Sequence, residues 1–312
     1  MILVFASTRA ELIKMSPLIK ELKKQNIEHK VVATGQHNLW ELQKKFDIEI
    51  IYLTQPPEGS SKFGLSKLKA LKFSIDVIFK TKKLYRYLHP KYVIVHGDTL
   101  SCALVSIASK ICGRKLMHIE SGLNSFNTHE PFPEEIMRRI AIKLSDYHFA
   151  PTKESVENLK GKKNVYYVGN TIYDVLKSYD IDGKFDGNYV VASIHRQENM
   201  NNKTRMRIIV NAMNYCNKEV FLFAHDPFLI ALKKYHLKLN ENVIIKKLAT
   251  HEEFIAYLSN CSFVIGDGGS IQEECAYYNK PYVMMRAWTE RKVLEPKPGA
   301  SKRIAKIIKK II

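Results

Sequence analysis

Three to five carboxylates in the stretch from His96 to Arg139 give this chain its first chemical reading. His96-Gly97-Asp98-Thr99, His118-Ile119-Glu120-Ser121-Gly122-Leu123 and Pro133-Glu134-Glu135 place acids beside two histidines. Asp98 follows the apolar run Tyr92–Val95, Glu120 follows Leu116–Ile119, and Glu134 follows a proline at the start of a helical pattern. Singly, each acid has a plainer use. Asp98 can cap a helix that begins at Leu100, and Glu134 can complement a helix dipole. Together they describe a site for proton transfer, because clustered carboxylates raise one another's proton affinity and so divide into an acid and a base.

Other segments offer groups for an anion. Ser7-Thr8-Arg9 joins a strand to a helix, and Arg9 and Lys14 add charge where free backbone N–H groups can meet a phosphate. An ordinary turn with a solvated arginine fits the same residues. In Ser193-Ile194-His195-Arg196-Gln197-Glu198-Asn199, His195 and Arg196 could meet a diphosphate or simply form a polar loop. Ile265-Gly266-Asp267-Gly268-Gly269-Ser270 is a glycine turn between a strand and a helix, where N–H groups can reach phosphate oxygens. Glu274, one turn into that helix, could accept hydrogen bonds from ribose hydroxyls. The turn is neither GxGxxG nor a P-loop, and glycine turns without ligands are common.

Parallel strands and helices must position these groups. Apolar runs at Met1–Ala6, Val31–Thr34, Tyr92–Val95, Leu116–Ile119, Tyr147–Ala150 and Val165–Val168 read as buried strands. Helical spacing lies between them, as in Leu12, Met15, Leu18, Ile19 and Leu22. A flexible loop is expected over Gln55–Leu65. Tyr189–Ile194, Val220–Phe223, Asn242–Ile245, Phe263–Ile265 and Tyr282–Met285 repeat the alternation. The expected fold class is α/β, with two Rossmann-like domains facing a cleft. Residues 1–168 form the first domain with the carboxylates, 169–187 link it, and 188–299 form the second. The tail, 300–312, is a basic amphipathic helix expected to pack back on the first domain.

Composition narrows the partners. The chain has 312 residues, with 49 basic against 31 acidic side chains and a net charge of +18. Most lysines are scattered along helical faces, so the excess is read chiefly as solvated surface, and RNA binding lacks the aromatic-basic motifs it requires. The five cysteines show no metal-ligand spacing, and free thiols in a reducing cytoplasm are expected. No signal peptide and no apolar run long enough to span a membrane are read.

Taken in order, these segments resemble the non-hydrolysing UDP-N-acetylglucosamine 2-epimerase family. The matching residues run from Ser7-Thr8-Arg9-Ala10-Glu11-Leu12-Ile13-Lys14 and Gly35-Gln36-His37 through the three acidic segments, with Arg138. They continue with Gly169-Asn170-Thr171, His195-Arg196, Gln272-Glu273-Glu274 and Thr289-Glu290-Arg291. The resemblance implies a glycosyltransferase-B-like fold and a cytoplasmic isomerase without cofactor or metal. Its substrate is a UDP-sugar, it binds neither nucleic acid nor membrane, and it is expected to be a homodimer. The implied reaction eliminates UDP from UDP-GlcNAc to 2-acetamidoglucal and adds it back on the opposite face, giving UDP-ManNAc. Asp98, Glu120, Glu134 and His195 match catalytic positions, with acid and base unapportioned among the carboxylates. Arg9, Lys14, Gly268, Gly269, Ser270, Glu274 and Arg291 match substrate-binding positions, Phe254 matches a uracil neighbour, and Gln36 and His37 match an allosteric segment. A hydrolysing epimerase releasing UDP and free ManNAc, and a nucleotide-sugar-binding homologue without turnover, share most of these residues. The chain departs from the family pattern at Ala10, Asn124, Met137 and Lys292, and in the order Asp267-Gly268-Gly269-Ser270.

Overall fold

The computed structural model describes residues 1–56, 67–127, 130–181, 187–247 and 250–312. The expected loop Gln55–Leu65 therefore lies, beyond Pro56, outside the described residues, as does Gly183 in the expected link.

The elements alternate strand and helix throughout. They begin β1 (Ile2–Phe5), α1 (Arg9–Lys24), β2 (His29–Ala33), α2 (Trp40–Phe46), β3 (Ile50–Tyr52), α3 (Lys67–Leu88), β4 (Tyr92–His96) and α4 (Leu100–Ile111). Next come β5 (Lys115–Ile119), α5 (Glu134–Leu144), β6 (Tyr147–Ala150), α6 (Lys153–Asn158), β7 (Val165–Tyr167) and α7 (Ile172–Ser178). The rest is β8 (Tyr189–Ser193), α8 (Gln197–Met200), α9 (Lys203–Asn214), β9 (Glu219–Phe223), α10 (Asp226–Lys234), β10 (Val243–Lys246) and α11 (His251–Asn260). The chain closes with β11 (Phe263–Gly266), α12 (Gly269–Tyr277), β12 (Tyr282–Met284) and α13 (Ala300–Ile311).

Two compact units result: Met1–Val175 with Lys297–Ile312, and Leu176–Pro296. In the first, seven parallel strands are ordered β3-β2-β1-β4-β5-β6-β7; in the second, five are ordered β10-β9-β8-β11-β12. Both are doubly wound α/β sheets. In each, the order turns around between the first strand of the unit and the fourth, so that helices on either side of that point diverge and leave room at the carboxyl ends of the strands. Strands β1, β4 and β8 are buried along their whole length, as strands covered by helices on both faces must be.

The first core packs Leu3, Phe5, Val93, Val95, Val105 and Leu116 around Tyr85. The second packs Val190, Ala192, Val220, Leu222 and Ile265 against Met206, Ile209 and Met213. The short edge strand β3 was not among the strands read from the sequence. The stretch 169–187 begins with ordered chain, since Ile172, Tyr173 and Val175 of α7 are buried.

Helix α13 packs on α1, burying Ala300, Ile304, Ala305 and Ile308. Its N-terminus is fixed by the Asp174 carboxylate, which accepts from the backbone N–H groups of Gly299 and Ser301. The Arg303 Nε donates to the Val168 carbonyl at 2.7 Å. Among the described residues no helix is long and apolar enough to cross a membrane.

Candidate functional site

In the first unit, the turns after β1 and β4 meet where the strand order reverses. Thr8 caps α1, and Glu11 completes a capping box. Glu11 Oε2 accepts from the N–H groups of Ser7 (2.7 Å) and Thr8 (3.0 Å), and its Oε1 accepts from the Thr99 hydroxyl at 2.6 Å. One buried carboxylate thus ties the two turns together. Burial lifts the Glu11 carboxyl to about 7, against these hydrogen bonds and with the Asp98 charge adding to the rise.

Thr99 is also the cap of α4, accepting from the Cys102 N–H at 3.1 Å. The Asp98 carboxylate is therefore not the cap. It pairs with the guanidinium of Arg138 from α5, a fully buried arginine that also donates to Glu135 Oε2 at 2.8 Å.

Glu120 stands just past β5 with φ of +61°, in the left-handed region that a glutamate adopts at a cost of order 1–3 kcal/mol. Its Oε1 accepts from Lys14 Nζ at 2.5 Å and from Asn170 Nδ2 at 2.8 Å, and His96 Nε2 lies 3.9 Å away. Lys14 and Glu120 are 4% and 5% exposed, so this is a buried ion pair. Next to it, burial holds the His118 imidazole neutral, at about 4. Its Nε2–H donates to the Gly97 carbonyl at 2.7 Å and so fixes the loop that carries Asp98.

The remaining candidates of this unit sit on the loop after β2, in the first turn of α1 and in the first turn of α5. Glu134 is half-buried in the first turn of α5, whereas its neighbour Glu135 is the one fully enclosed. Arg9 is 41% exposed and pairs with Glu41 at 3.2 Å. His37 is held neutral, at about 4, by burial and by the Arg9 charge. Gln36 is buried, and its Oε1 accepts from the Ser101 hydroxyl at 2.6 Å. Glu11, Asn170 and Arg138 join the cluster without having been assigned roles from the sequence. The position of Asn170, just beyond the carboxyl end of β7, was the signal available for it.

The second unit repeats the device at the turns after β8 and β11. Asp267 is fully buried and accepts from the N–H groups of His195 and Arg196, each at 3.0 Å, and from Asn199 Nδ2 at 2.9 Å. One carboxylate again pins two turns together. The His195 ring lies against the glycine turn, where a Cβ on Gly268 would sit 2.7 Å from its Cε1. Burial pushes the His195 imidazole down, against the pull of Asp267.

Gly268, Gly269 and Ser270 open α12, and a Cβ on Gly269 would come within 2.7 Å of Glu290 Oε1 and 2.8 Å of Arg291 Nη1. A side chain there would push the Glu290 and Arg291 side chains aside. Arg291 is buried between Glu290 and Glu273, with its Nε 3.0 Å from Glu273 Oε1. Arg286 beside it donates to Gln272, Thr289 and Glu290. Further along α12, Glu274 is 3% exposed and accepts from His251 Nε2 at 3.0 Å. Phe254 of α11 is partly buried, its ring edge-on to Phe223 with centroids 5.2 Å apart. Among the described residues no group of three or more His, Cys, Asp or Glu side chains is placed to hold a metal ion.

Comparison with known proteins fits this arrangement. The family model described as UDP-N-acetylglucosamine 2-epimerase matches residues 20–296. A protein of Methanocaldococcus jannaschii named UDP-N-acetylglucosamine 2-epimerase is 31% identical over 320 residues, covering 92% of this chain and 84% of the relative. The crystal structure of UDP-GlcNAc 2-epimerase from Neisseria meningitidis bound to UDP-GlcNAc superposes with a TM-score of 0.81 at 25% identity, over 99% of this chain and 91% of that one. The glycosyltransferase SnogD from Streptomyces nogalater shares the fold alone, with a TM-score of 0.52 at 13% identity over 91% of this chain and 80% of its own. The doubly wound sheets are therefore of the glycosyltransferase-B kind, and the chain belongs to the UDP-N-acetylglucosamine 2-epimerase family.

Proposed function

We propose that this protein interconverts UDP-GlcNAc and UDP-ManNAc by anti elimination of UDP to 2-acetamidoglucal and re-addition, without a redox cofactor. A carboxylate removes the C2 proton as the C1–O bond breaks, its electron pair leaving with UDP and a C1=C2 double bond forming. A proton then returns to C2 on the opposite face while a phosphate oxygen of UDP re-adds at C1. Asp98, Glu120 and Glu134 are the carboxylates for these transfers. Arg9, Lys14, His195, Arg291 and the Gly268–Ser270 turn serve the diphosphate, Glu274 the ribose, and Phe254 the uracil, while Gln36 and His37 serve regulation.

The observation that carries the reading is Glu120, a buried carboxylate in a strained backbone conformation at a sheet's carboxyl edge, charge-paired with Lys14. Strain of this kind persists where the surrounding structure over-determines it, and it gathers at functional sites. The protein is further proposed to act in the cytoplasm as a homodimer. An exposed apolar stripe on α3, formed by Leu71, Ile75 and Phe79 at 57%, 46% and 65% exposure, supports the dimer.

The test is incubation with UDP-GlcNAc followed by phosphorus and proton NMR. UDP-ManNAc accumulating while free UDP stays constant is the expected result. UDP and free ManNAc rising together would replace the reading with the hydrolysing reaction, and an unchanged UDP-GlcNAc pool would leave a binding homologue.

A further inference from the structure

The second unit holds a hydrogen-bonded chain of three side chains that the reaction as described does not use. Tyr179, just beyond α7, has its phenol oxygen 2.7 Å from His251 Nδ1. His251, the first residue of α11, has its Nε2 3.0 Å from Glu274 Oε1. The Tyr179 and His251 rings also pack on each other, with centroids 5.6 Å apart and a 58° angle between planes. These residues come from three separate segments and converge on one carboxylate.

The chemistry of the three groups fixes the direction of the chain. An ionised carboxylate only accepts, so His251 Nε2 carries the proton and donates to Glu274. In the tautomer with its proton on Nε2, Nδ1 is the acceptor, and the Tyr179 hydroxyl is the group that donates to it. Burial raises the Tyr179 phenol above its ordinary range, with the Glu252 and Glu274 charges adding to the rise, so it stays protonated. Among the described residues, the side-chain hydrogen bond of Glu274 runs to His251, on Oε1. Oε2 is the oxygen left for a ligand.

Resting on the reading that Glu274 holds the ribose, we infer that Tyr179 and His251 are positioning residues that orient the Glu274 carboxylate for the ribose hydroxyls. Tyr179 sets the tautomer and ring angle of His251, and His251 holds Oε1, so that Oε2 meets the 2′- and 3′-hydroxyls without a search over rotamers. The cost of ordering that carboxylate is met within the folded protein rather than on binding. The chain therefore governs selectivity for a ribose diol, not affinity for the diphosphate or the base.

The experiment compares binding of UDP and of 2′,3′-dideoxy-UDP by calorimetry in the intact protein and its variants. The wild-type protein prefers UDP, by about tenfold or more for hydroxyls bound to a charged acceptor. Glu274→Ala removes that preference. His251→Phe lowers the ratio nearly as far, Tyr179→Phe lowers it about threefold, and His251→Gln, whose amide can donate from the Nε2 position, restores most of it. Affinity for dideoxy-UDP stays constant throughout. Should Glu274→Ala keep the wild-type ratio, the ribose reading fails and the inference with it. Should Glu274→Ala remove the preference while His251→Phe and Tyr179→Phe retain it, the ribose reading stands and the positioning role is overturned. An equal loss of both nucleotides in His251→Phe would assign His251 to the fold and overturn the role as well.

Discussion

Replacing Lys14 by Met tests whether the buried pair with Glu120 organises the first unit. Methionine keeps the length and much of the volume of the lysine stem but removes the charge. The pair is 2.5 Å long with both partners about 95% buried, so little solvent replaces the lost ammonium. Asn170 at 2.8 Å remains as a neutral donor to the carboxylate. Breaking a buried pair from one side costs about 3–5 kcal/mol, because it strands the other charge. Glu120→Gln removes the countercharge of the ammonium instead and is expected to cost a similar amount. The double variant strands neither, so its cost falls short of the sum by about 2 kcal/mol or more. Equilibrium urea unfolding at neutral pH measures all three. Single costs below about 1 kcal/mol, or strictly additive ones, would show that the pair does not organise the unit.

Three further outcomes follow from the same geometry. Glu11, lifted by burial to about 7 from 4.5, binds its proton more tightly folded than unfolded, so its contribution to stability is full below about 4.5 and is lost as pH rises through about 7. Glu11→Gln should flatten that decline in pH-dependent urea titrations. His118, lowered to about 4 from 6.5, has the opposite sign: its contribution is present above about 6.5 and lost as pH falls toward 4, and nitrogen-15 NMR at pH 6 should find it neutral with the proton on Nε2. Gly122→Ala would place a Cβ 2.2 Å from the Ser155 carbonyl at φ of +89° and should cost about 2–4 kcal/mol, whereas Gly161→Ala, at φ of +86° with open space around it, should cost only the backbone strain of about 1–2 kcal/mol, both read by thermal unfolding.

Much of the fold could be read from the chain because buried parallel strands are continuous apolar runs. Tyr147–Ala150 as a strand and Glu134–Leu144 as a helix agree residue for residue with the structure. Strand β3 escaped because Ile50–Tyr52 is three residues long, half-buried and at the sheet edge, so neither length nor alternation marks it. Helix α8 is a four-residue turn inside a polar stretch and has no period to read.

The places of Asp98 and Glu120 just after strands were legible, but their partners were not. Lys14 and Glu120 are 106 residues apart in sequence, and no local spacing announces such a pair. Whether Asp98 caps α4 likewise depended on Arg138, forty residues away, and on Thr99 taking the cap. The Asp267 carboxylate looked like part of a phosphate turn, yet the structure commits it to the His195–Asn199 loop.

In the proposed function, carboxylates of the first unit move a proton at C2 of a UDP-linked N-acetylhexosamine. Proton NMR of the protein with UDP-GlcNAc in D2O tests it most directly. The C2 proton signal of both UDP-GlcNAc and UDP-ManNAc should fade as deuterium enters from solvent, at a rate abolished in Asp98→Asn and Glu120→Gln variants that remain folded. A C2 position that retains its proton while UDP-ManNAc forms, or exchange that persists undiminished in those variants, would contradict it.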